Sequence, residues 1–295
     1  QSLAQEIIKA RKLGMFETSV SFSADLITFH PSQNDILKQF SAILDTMQVV
    51  ISSAPRVLYA HHSTSMGPDV AEILLQNVEL VHSRQEIRAA ILEDFRRASE
   101  HAVALEYVRP IYDFNQRWDY SAFRRAHHTV AELYELMDSI SGWSRDLDRL
   151  RNKTLRILEI DCTRLKLELT PWKNARIKEM RDYLQETLRE ECQNVLSVIK
   201  DLSQKLQARP TKLHDFAPQV RVWMNIEENG QQLQASIFRI REIFNLMQQH
   251  DFQVNSTEMI AIDDIAEKQE LYNSDLVKAL TYKEGRLPEM AHALH

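Results

Sequence analysis

Histidines and cysteines are the side chains of this chain that could bind a metal or act as nucleophiles. The histidines include two adjacent pairs, His61-His62 and His127-His128. Adjacent residues on a helix point about a third of a turn apart, so neither pair aims two nitrogens at one ion. The HExxH zinc motif, which places two histidines on one helical face, is absent from the sequence. The sequence therefore predicts no metal site.

The two cysteines, Cys162 and Cys192, belong to no CxxC motif and are too few for a disulfide framework. Cys162 lies near the end of a possible strand, and Cys192 lies on an amphipathic helix. Both are predicted to be packed thiols rather than nucleophiles. This cysteine usage is typical of a reducing compartment such as the cytoplasm.

Acid–base and phosphate chemistry also lack the residues they need. The paired carboxylates Glu190-Glu191 and Asp263-Asp264 lie in polar surroundings, where a solvated helix face is the commoner role. A phosphate-binding loop needs closely spaced glycines, but the five glycines are far apart and no GxxxxGK motif occurs. No catalytic, cofactor-binding or metal-binding residue is predicted, so this segment is not expected to be an enzyme.

The tryptophans are the largest apolar anchors, and each could pack between helices or contact a partner protein. Packing between helices is the favoured interpretation. The four residues are Trp118, Trp143, Trp172 and Trp223.

The N-terminal pattern predicts a helix end followed by a β-hairpin, residues 1–31. A helix over Ser2–Leu13 ends at Gly14, a residue typical of C-terminal caps. Apolar side chains then alternate over 16–22 and again over 26–29, with residues 23–25 as the connection. Pro31 ends the second strand because it cannot donate to a ladder.

A helical bundle is predicted over residues 32–155. Ser32 caps its first helix, whose apolar residues recur at spacings of four and three: Ile36, Phe40, Ile43, Met47 and Val50. A break at 54–56 and a loop over 59–67 follow. The second helix runs from Arg84 to Tyr112 and is stopped or kinked by Pro110. The third begins near Ser121, with Phe123, Ala126, Val130, Leu133, Met137, Ile140 and Leu147 on one face.

Residues 156–295 are predicted to form a second helical bundle. The short apolar segment 155–160 fits either a strand or a helix. Pro171 is expected at the start of a long helix, and Thr211 is expected to cap the next one. A fifth stripe consists of Leu233, Ile237, Ile240, Phe244 and Met247. A last helix starts near Ser256 or Thr257, capped by Asn255 or Thr257. The predicted fold is all-α: an elongated array of helical bundles, with coiled-coil-like stripes and one small β-hairpin.

Composition excludes two classes of partner. The formal charge is -6 and the pI about 6.0, without the concentrated basic face that nucleic-acid binders carry. No run of about eighteen apolar residues is present, so no bilayer span is predicted. The chain begins at Gln1 rather than methionine, and we expect it to be a segment of a longer polypeptide.

Residues 206–271 resemble the tail of a dynein heavy chain just before the linker of the motor. The shared pattern is Arg209-Pro210-Thr211 at a helix start, a returning helix, and a helix that ends in a short apolar–polar turn. Similar blocks precede it in the same order over most of the chain: residues 27–32 with 54–56, residues 95–112 and residues 158–169. Each block is weak alone, and their order carries the resemblance. Pro218, His214 and residues 283–295 depart from the family pattern.

The resemblance implies the tail of an axonemal dynein heavy chain, and among the axonemal types it favours one of the inner arm. ATP and Mg²⁺ would bind in the motor region of the full chain. Partners would be intermediate chains, light chains or other heavy chains and, through the assembly, the doublet microtubule of a cilium or flagellum. One alternative is a free-standing helical scaffold or tethering protein, although no internal repeat supports it. An all-helical enzyme would need paired Glu-x-x-His motifs, which the sequence lacks.

Overall fold

A computed structural model describes residues 15–23, 26–53, 73 and 76–292. The predicted Ser2–Leu13 helix, its Gly14 cap, the hairpin connection at Ala24 and Asp25, and the loop over 59–67 lie outside the described residues. The chain divides into two compact units. The first unit is Gln1–Trp118 with Gly142–Asn174, and the second is Asp119–Ser141 with Ala175–His295. The bounds predicted from sequence follow chain order, whereas each unit combines two separate stretches.

The first unit contains a four-stranded sheet of order β2-β1-β4-β3. Strands β1 (Phe16–Ser23) and β2 (Leu26–His30) form the predicted antiparallel hairpin. Strand β4 (Leu158–Asp161) pairs parallel with β1, and the two-residue β3 (Lys153–Thr154) pairs antiparallel with β4. The segment that fitted either strand or helix is therefore extended at its end. The β element is larger than the hairpin predicted.

The rest of the described chain is mostly helical, as predicted. A single 3-10 turn, Glu106–Val108, separates the second and third helices. In chain order the helices are α1 (Gln33–Ser52), α2 (Val78–Val103), α3 (Arg109–Arg117), α4 (Tyr120–Arg125), α5 (Val130–Arg149), α6 (Thr163–Gln207), α7 (Leu213–Glu228), α8 (Gly230–Gln249) and α9 (Ser256–His292).

Two predicted helices are each divided into shorter ones. The helix predicted over Arg84–Tyr112 ends at Val103, and Pro110 lies in the first turn of α3, where its missing N–H costs nothing. The helix predicted from Ser121 stops at Arg125. There Thr129 and Glu132 form a capping box, with each side chain accepting the other's backbone N–H at 3.3 and 2.8 Å. This box begins α5.

Two predicted helix starts are wrong. Helix α6 begins at Thr163, whose N–H donates to the Asp161 side chain at 2.9 Å, and Pro171 lies inside the helix. Thr211 does not cap α7, because the cap position is Lys212, which makes no side-chain hydrogen bond there. By contrast, α9 starts at the predicted Ser256, and the Met259 N–H donates to the Asn255 carbonyl.

The core of the second unit comes from the stripes of α6, α8 and α9. The predicted α8 stripe is confirmed, with Leu233, Ile237, Ile240 and Met247 buried and Phe244 half-buried. On α9 four buried residues recur at intervals of seven: Glu258, Ile265, Tyr272 and Ala279. Such a repeat keeps one face of a helix against its neighbours, as in a coiled coil.

The Ser32 cap of α1 is confirmed and is part of a capping box. The Ser32 hydroxyl accepts the Asp35 N–H at 3.3 Å, and the Asp35 carboxylate accepts the Ser32 N–H at 3.2 Å. The Ser32 hydroxyl also donates to the Asp35 carboxylate at 2.7 Å, and this hydrogen bond, with the one from the Ser32 N–H, holds the pKa of Asp35 below its ordinary value. The box therefore stabilises the start of α1 while Asp35 is ionised.

Replacing Ser32 with alanine is expected to lower the free energy of unfolding by about 1 kcal/mol at neutral pH. Because the Asp35 pKa is depressed in the folded chain, its contribution is present above the ordinary carboxyl pKa and disappears as the pH falls through the folded value. The difference between wild type and variant should therefore shrink in acid. Urea unfolding of both proteins at neutral and acidic pH measures this difference in the free energy of unfolding. Ser41→Ala, on the same helix, is the control. An equal loss of free energy of unfolding in both variants would contradict the role of Ser32 as a helix cap.

Candidate functional site

The turn between α6 and α7 holds a cluster of side-chain hydrogen bonds and ring contacts. We call it the Arg209 junction: Leu206, Arg209, Pro210, Trp223 and Tyr282, all in the second unit. The Arg209 guanidinium donates to the Leu206 carbonyl and, at 3.0 Å, to the Ala208 carbonyl. It thereby satisfies carbonyls that the end of α6 leaves without an intrahelical donor.

The same guanidinium faces two aromatic rings. Its central carbon lies 6.0 Å from the ring centroid of Trp223 and 5.5 Å from that of Tyr282. The two rings meet edge to face, with centroids 6.1 Å apart. A cation over aromatic faces is attracted by their negative quadrupole, by about 0.5–1 kcal/mol where the cation is exposed, as Arg209 is. Arg209 therefore links the turn to α7 and α9.

Hydrogen bonds fix both aromatic residues to the end of α6 and the turn. The Trp223 indole N–H donates to the Lys205 carbonyl at 3.3 Å, and the Gln219 amide donates to the same oxygen at 2.7 Å. The Tyr282 hydroxyl donates to the Pro210 carbonyl at 3.0 Å. Three helices thus share one junction of directed contacts, and nothing in it is a nucleophile or a general base.

A serine, a histidine and an aspartate also come together in the second unit. The Ser141 hydroxyl lies 3.0 Å from Nδ1 of His250, and the Asp138 carboxylate lies 3.6 Å from Nε2. Ser141 and Asp138 are one turn apart on α5, where the backbone N–H groups are used by the helix and cannot stabilise an oxyanion. This arrangement ties the end of α8 to α5 rather than forming a hydrolytic site.

The described histidines and paired carboxylates that the sequence offered as candidate site residues are not gathered in one site. His61 and His62 lie outside the described residues. His127 is exposed, and His128 stacks on Phe123 with ring centroids 4.0 Å apart. Glu191 is half-buried beside Arg239, at 3.1 Å, so it is not the purely solvated group that was expected. Asp264 lies 3.6 Å from Lys268 on the surface of α9.

Trp143, Trp172 and Trp223 pack against aromatic residues of other helices, as predicted, whereas Trp118, the C-cap of α3, stacks on Phe114 of the same helix. Trp118 and Trp143 both contact Phe114, with ring centroids 5.0 and 5.1 Å apart, and Trp172 contacts Tyr112 at 5.8 Å. Trp223 belongs to the Arg209 junction. The junction's stacking was not predicted, because nothing local in the sequence brings residues 209, 223 and 282 together.

Both cysteines are buried free thiols, as predicted. Burial raises the pKa of each to about 11, and the nearby carboxylates of Asp161 and of Glu258 with Glu191 add to the effect for Cys162 and Cys192 respectively. The thiolate is the reactive form, so these side chains are poor nucleophiles in the folded chain.

We expect neither thiol to react with iodoacetamide at pH 8 in the native chain, and both to react in urea, as measured by intact mass. Because the folded pKa lies above the ordinary value of 9.0, an unfolded chain loses these protons first. The free energy of unfolding should therefore fall as the pH rises from 9 toward 11. Rapid alkylation without urea would contradict the burial of these thiols.

Metal sites and membrane spans were sought among the described residues. There, no group of three or more histidine, cysteine, aspartate or glutamate side chains is arranged to hold an ion. None of the helices in the described part of the chain combines the length and apolarity that crossing a bilayer requires. No protein-family model matches the chain, and no curated protein matches it either.

Proposed function

We propose that this chain is a non-catalytic tail segment of an axonemal dynein heavy chain. The observation that carries the proposal is the ordered set of family-like blocks along the sequence, strongest over residues 206–271. In this role the segment anchors the motor to the doublet microtubule and its associated chains, and it transmits the force of the linker during ciliary or flagellar beating. ATP hydrolysis belongs to the motor region of the full chain.

The Arg209 junction supports this proposal because Arg209 and Pro210 belong to the Arg-Pro-Thr pattern that carries the resemblance. A segment that transmits force needs turns that do not yield when a helix is pulled. Arg209 binds the end of α6 and faces rings from α7 and α9, while hydrogen bonds from Trp223 and Tyr282 hold the same turn. Densely packed interiors transmit strain rather than absorb it.

The partners proposed are dynein intermediate and light chains or other heavy chains, in the cytoplasm and at the axoneme. Nucleic acid and membrane are not proposed as partners, since the chain is acidic overall. The helical scaffold or tethering protein remains the competing function, and it differs by having no motor and no axonemal partners.

The test is to tag the endogenous protein, purify it with its complexes, and identify the co-purifying proteins by mass spectrometry. We expect dynein intermediate or light chains, enriched over the same purification from untagged cells. A matched preparation from deciliated cell bodies and from isolated axonemes should place the complex in the axonemal fraction. Recovery with trafficking factors, and without any dynein chain, would overturn the proposal in favour of a tethering protein.

A further inference from the structure

A groove runs between α1 and α2 in the first unit, with a volume of about 690 Å³. Its apolar floor is formed by Leu37, Phe40 and Leu44, all on α1 and all half-buried. Its rim carries polar and charged side chains from both helices. We call it the α1–α2 groove.

The apolar surface continues beyond the groove along α1. The predicted stripe of this helix is buried at Ile36, but Ile43 is 53% exposed, Met47 51% and Val50 63%. Among the residues that the structure describes, none covers the second half of this stripe. Spacings of four and three are those of a coiled-coil seam, which a partner helix normally covers. The exposed half of α1 has the pattern of a seam without its partner.

The charge at the groove is predominantly positive. Lys38, Arg84 and Arg88 line it against a single acidic residue, Asp45. Further along α2, Arg96 and Arg97 pair with Glu93. Arg84 and Arg88, in contrast, form no ion pair with any residue that the structure describes. Lys38 is close enough to Asp35 to lower its pKa, after the larger effect of the Ser32 hydrogen bonds.

We propose that the α1–α2 groove binds an acidic amphipathic helix of a partner protein. The apolar face of that helix would lie on Leu37, Phe40, Leu44 and the exposed stripe, and its glutamates or aspartates would face Arg84, Arg88 and Lys38. The groove follows α1 from Asn34 to Asp45, about 17 Å or three helical turns. A net positive rim over an apolar floor recognises such a helix by charge and by shape. The inference does not rest on the proposed function.

The test uses the full 295-residue chain and two synthetic helical peptides of equal length, both with leucine at heptad a and d positions. One peptide carries glutamate at the flanking positions and the other carries lysine. Fluorescence anisotropy should show saturable binding of the glutamate peptide, at least about tenfold tighter than the lysine peptide and weaker in high salt.

Two variants and one control assign that binding to the groove. Arg84→Glu with Arg88→Glu should reverse the preference between the peptides. Arg221→Glu with Arg241→Glu, which makes the same charge change on exposed residues of α7 and α8, should leave it intact. Ser41→Trp should block the groove sterically, because Ser41 lines it, is exposed and donates within its own helix to Leu37. Circular dichroism spectra and melting temperatures confirm that each variant is folded.

Several results would overturn the proposal. These are the absence of saturable binding up to about 1 mM, equal binding of both peptides, or a preference that survives the reversal at Arg84 and Arg88. Binding to anionic vesicles that Ser41→Trp does not affect would assign the cations to a membrane surface instead. Self-association of the chain, measured by sedimentation equilibrium and lost on reversal, would identify a second copy as the occupant.

Discussion

Replacing Trp223 with alanine is expected to lower the free energy of unfolding of the second unit by about 3–5 kcal/mol. The side chain is 0% exposed and is among the largest fully buried ones in the described chain. Its removal leaves a cavity between α6, α7 and α9. It also removes an indole N–H that donates to Lys205, and a ring that Arg209 and Tyr282 contact. The substitution thus removes buried packing, a hydrogen bond and ring contacts at the same place.

Urea unfolding followed by circular dichroism measures the effect, and hydrogen exchange locates it. Amides of α7 and of the last turns of α6 should lose protection most. Met224→Ala is the matched control, since Met224 is the next residue on α7 and is 46% exposed. A Trp223→Ala variant no less stable than Met224→Ala would mean that the Arg209 junction does not hold these helices together.

Replacing Asp94 with alanine is expected to destabilise the first unit by about 2–6 kcal/mol. Asp94 is only 1% exposed, and its Oδ2 accepts the backbone N–H groups of Ile157 at 2.7 Å and Leu158 at 3.2 Å. Alanine would leave both donors buried without an acceptor, at a cost of about 1–3 kcal/mol each. Because Leu158 is the first residue of β4 and Ile157 directly precedes it, the parallel pairing of β4 with β1 should weaken first.

Asp94→Asn provides the matched control because its side-chain oxygen can still accept both N–H groups. We expect it to lose less than half of what Asp94→Ala loses in urea unfolding. Hydrogen exchange at residues 157–161 should rise in the alanine variant and stay slow in the asparagine variant. Equal destabilisation in the two variants would show that the carboxyl group acts by something other than accepting these hydrogen bonds.

Elements specified by nearby residues were predictable from the sequence. The alternation over 16–22 and 26–29 produced a hairpin, and the stripe from Leu233 to Met247 produced a buried helix face, because each pattern depends on local periodicity alone. The capping box at Ser32 was also partly visible. A similar signal, Thr129 followed three residues later by Glu132, marks the start of α5.

Long-range pairing was not predictable. The parallel partner of β1 lies at Leu158–Asp161, and nothing in either short strand identifies the other. The position of a proline relative to its helix was also not predictable, since Pro110 begins a helix whereas Pro171 lies within one. The sequence does indicate that the Asp94 carboxylate needs a hydrogen-bond partner, because Asp94 lies between Ile91 and Phe95 on a buried helix face. Its partner, a backbone segment more than sixty residues away, required the fold.

The site was predictable only as a turn. The resemblance placed Arg209-Pro210-Thr211 at a helix start, and the chain does turn there, although Lys212 rather than Thr211 takes the cap position. The contacts of Arg209 with Trp223 and Tyr282 join residues from three helices. They depend on packing that only the folded unit provides.

The most direct test of the dynein proposal is the size and sequence of the endogenous polypeptide that contains this segment. An antibody raised against the 295-residue chain would capture it, and a denaturing gel with peptide mass spectrometry would characterise it. The proposal predicts one polypeptide far larger than 34.4 kDa whose peptides include nucleotide-binding GxxxxGK motifs C-terminal to His295. A polypeptide without any such motor sequence would contradict it.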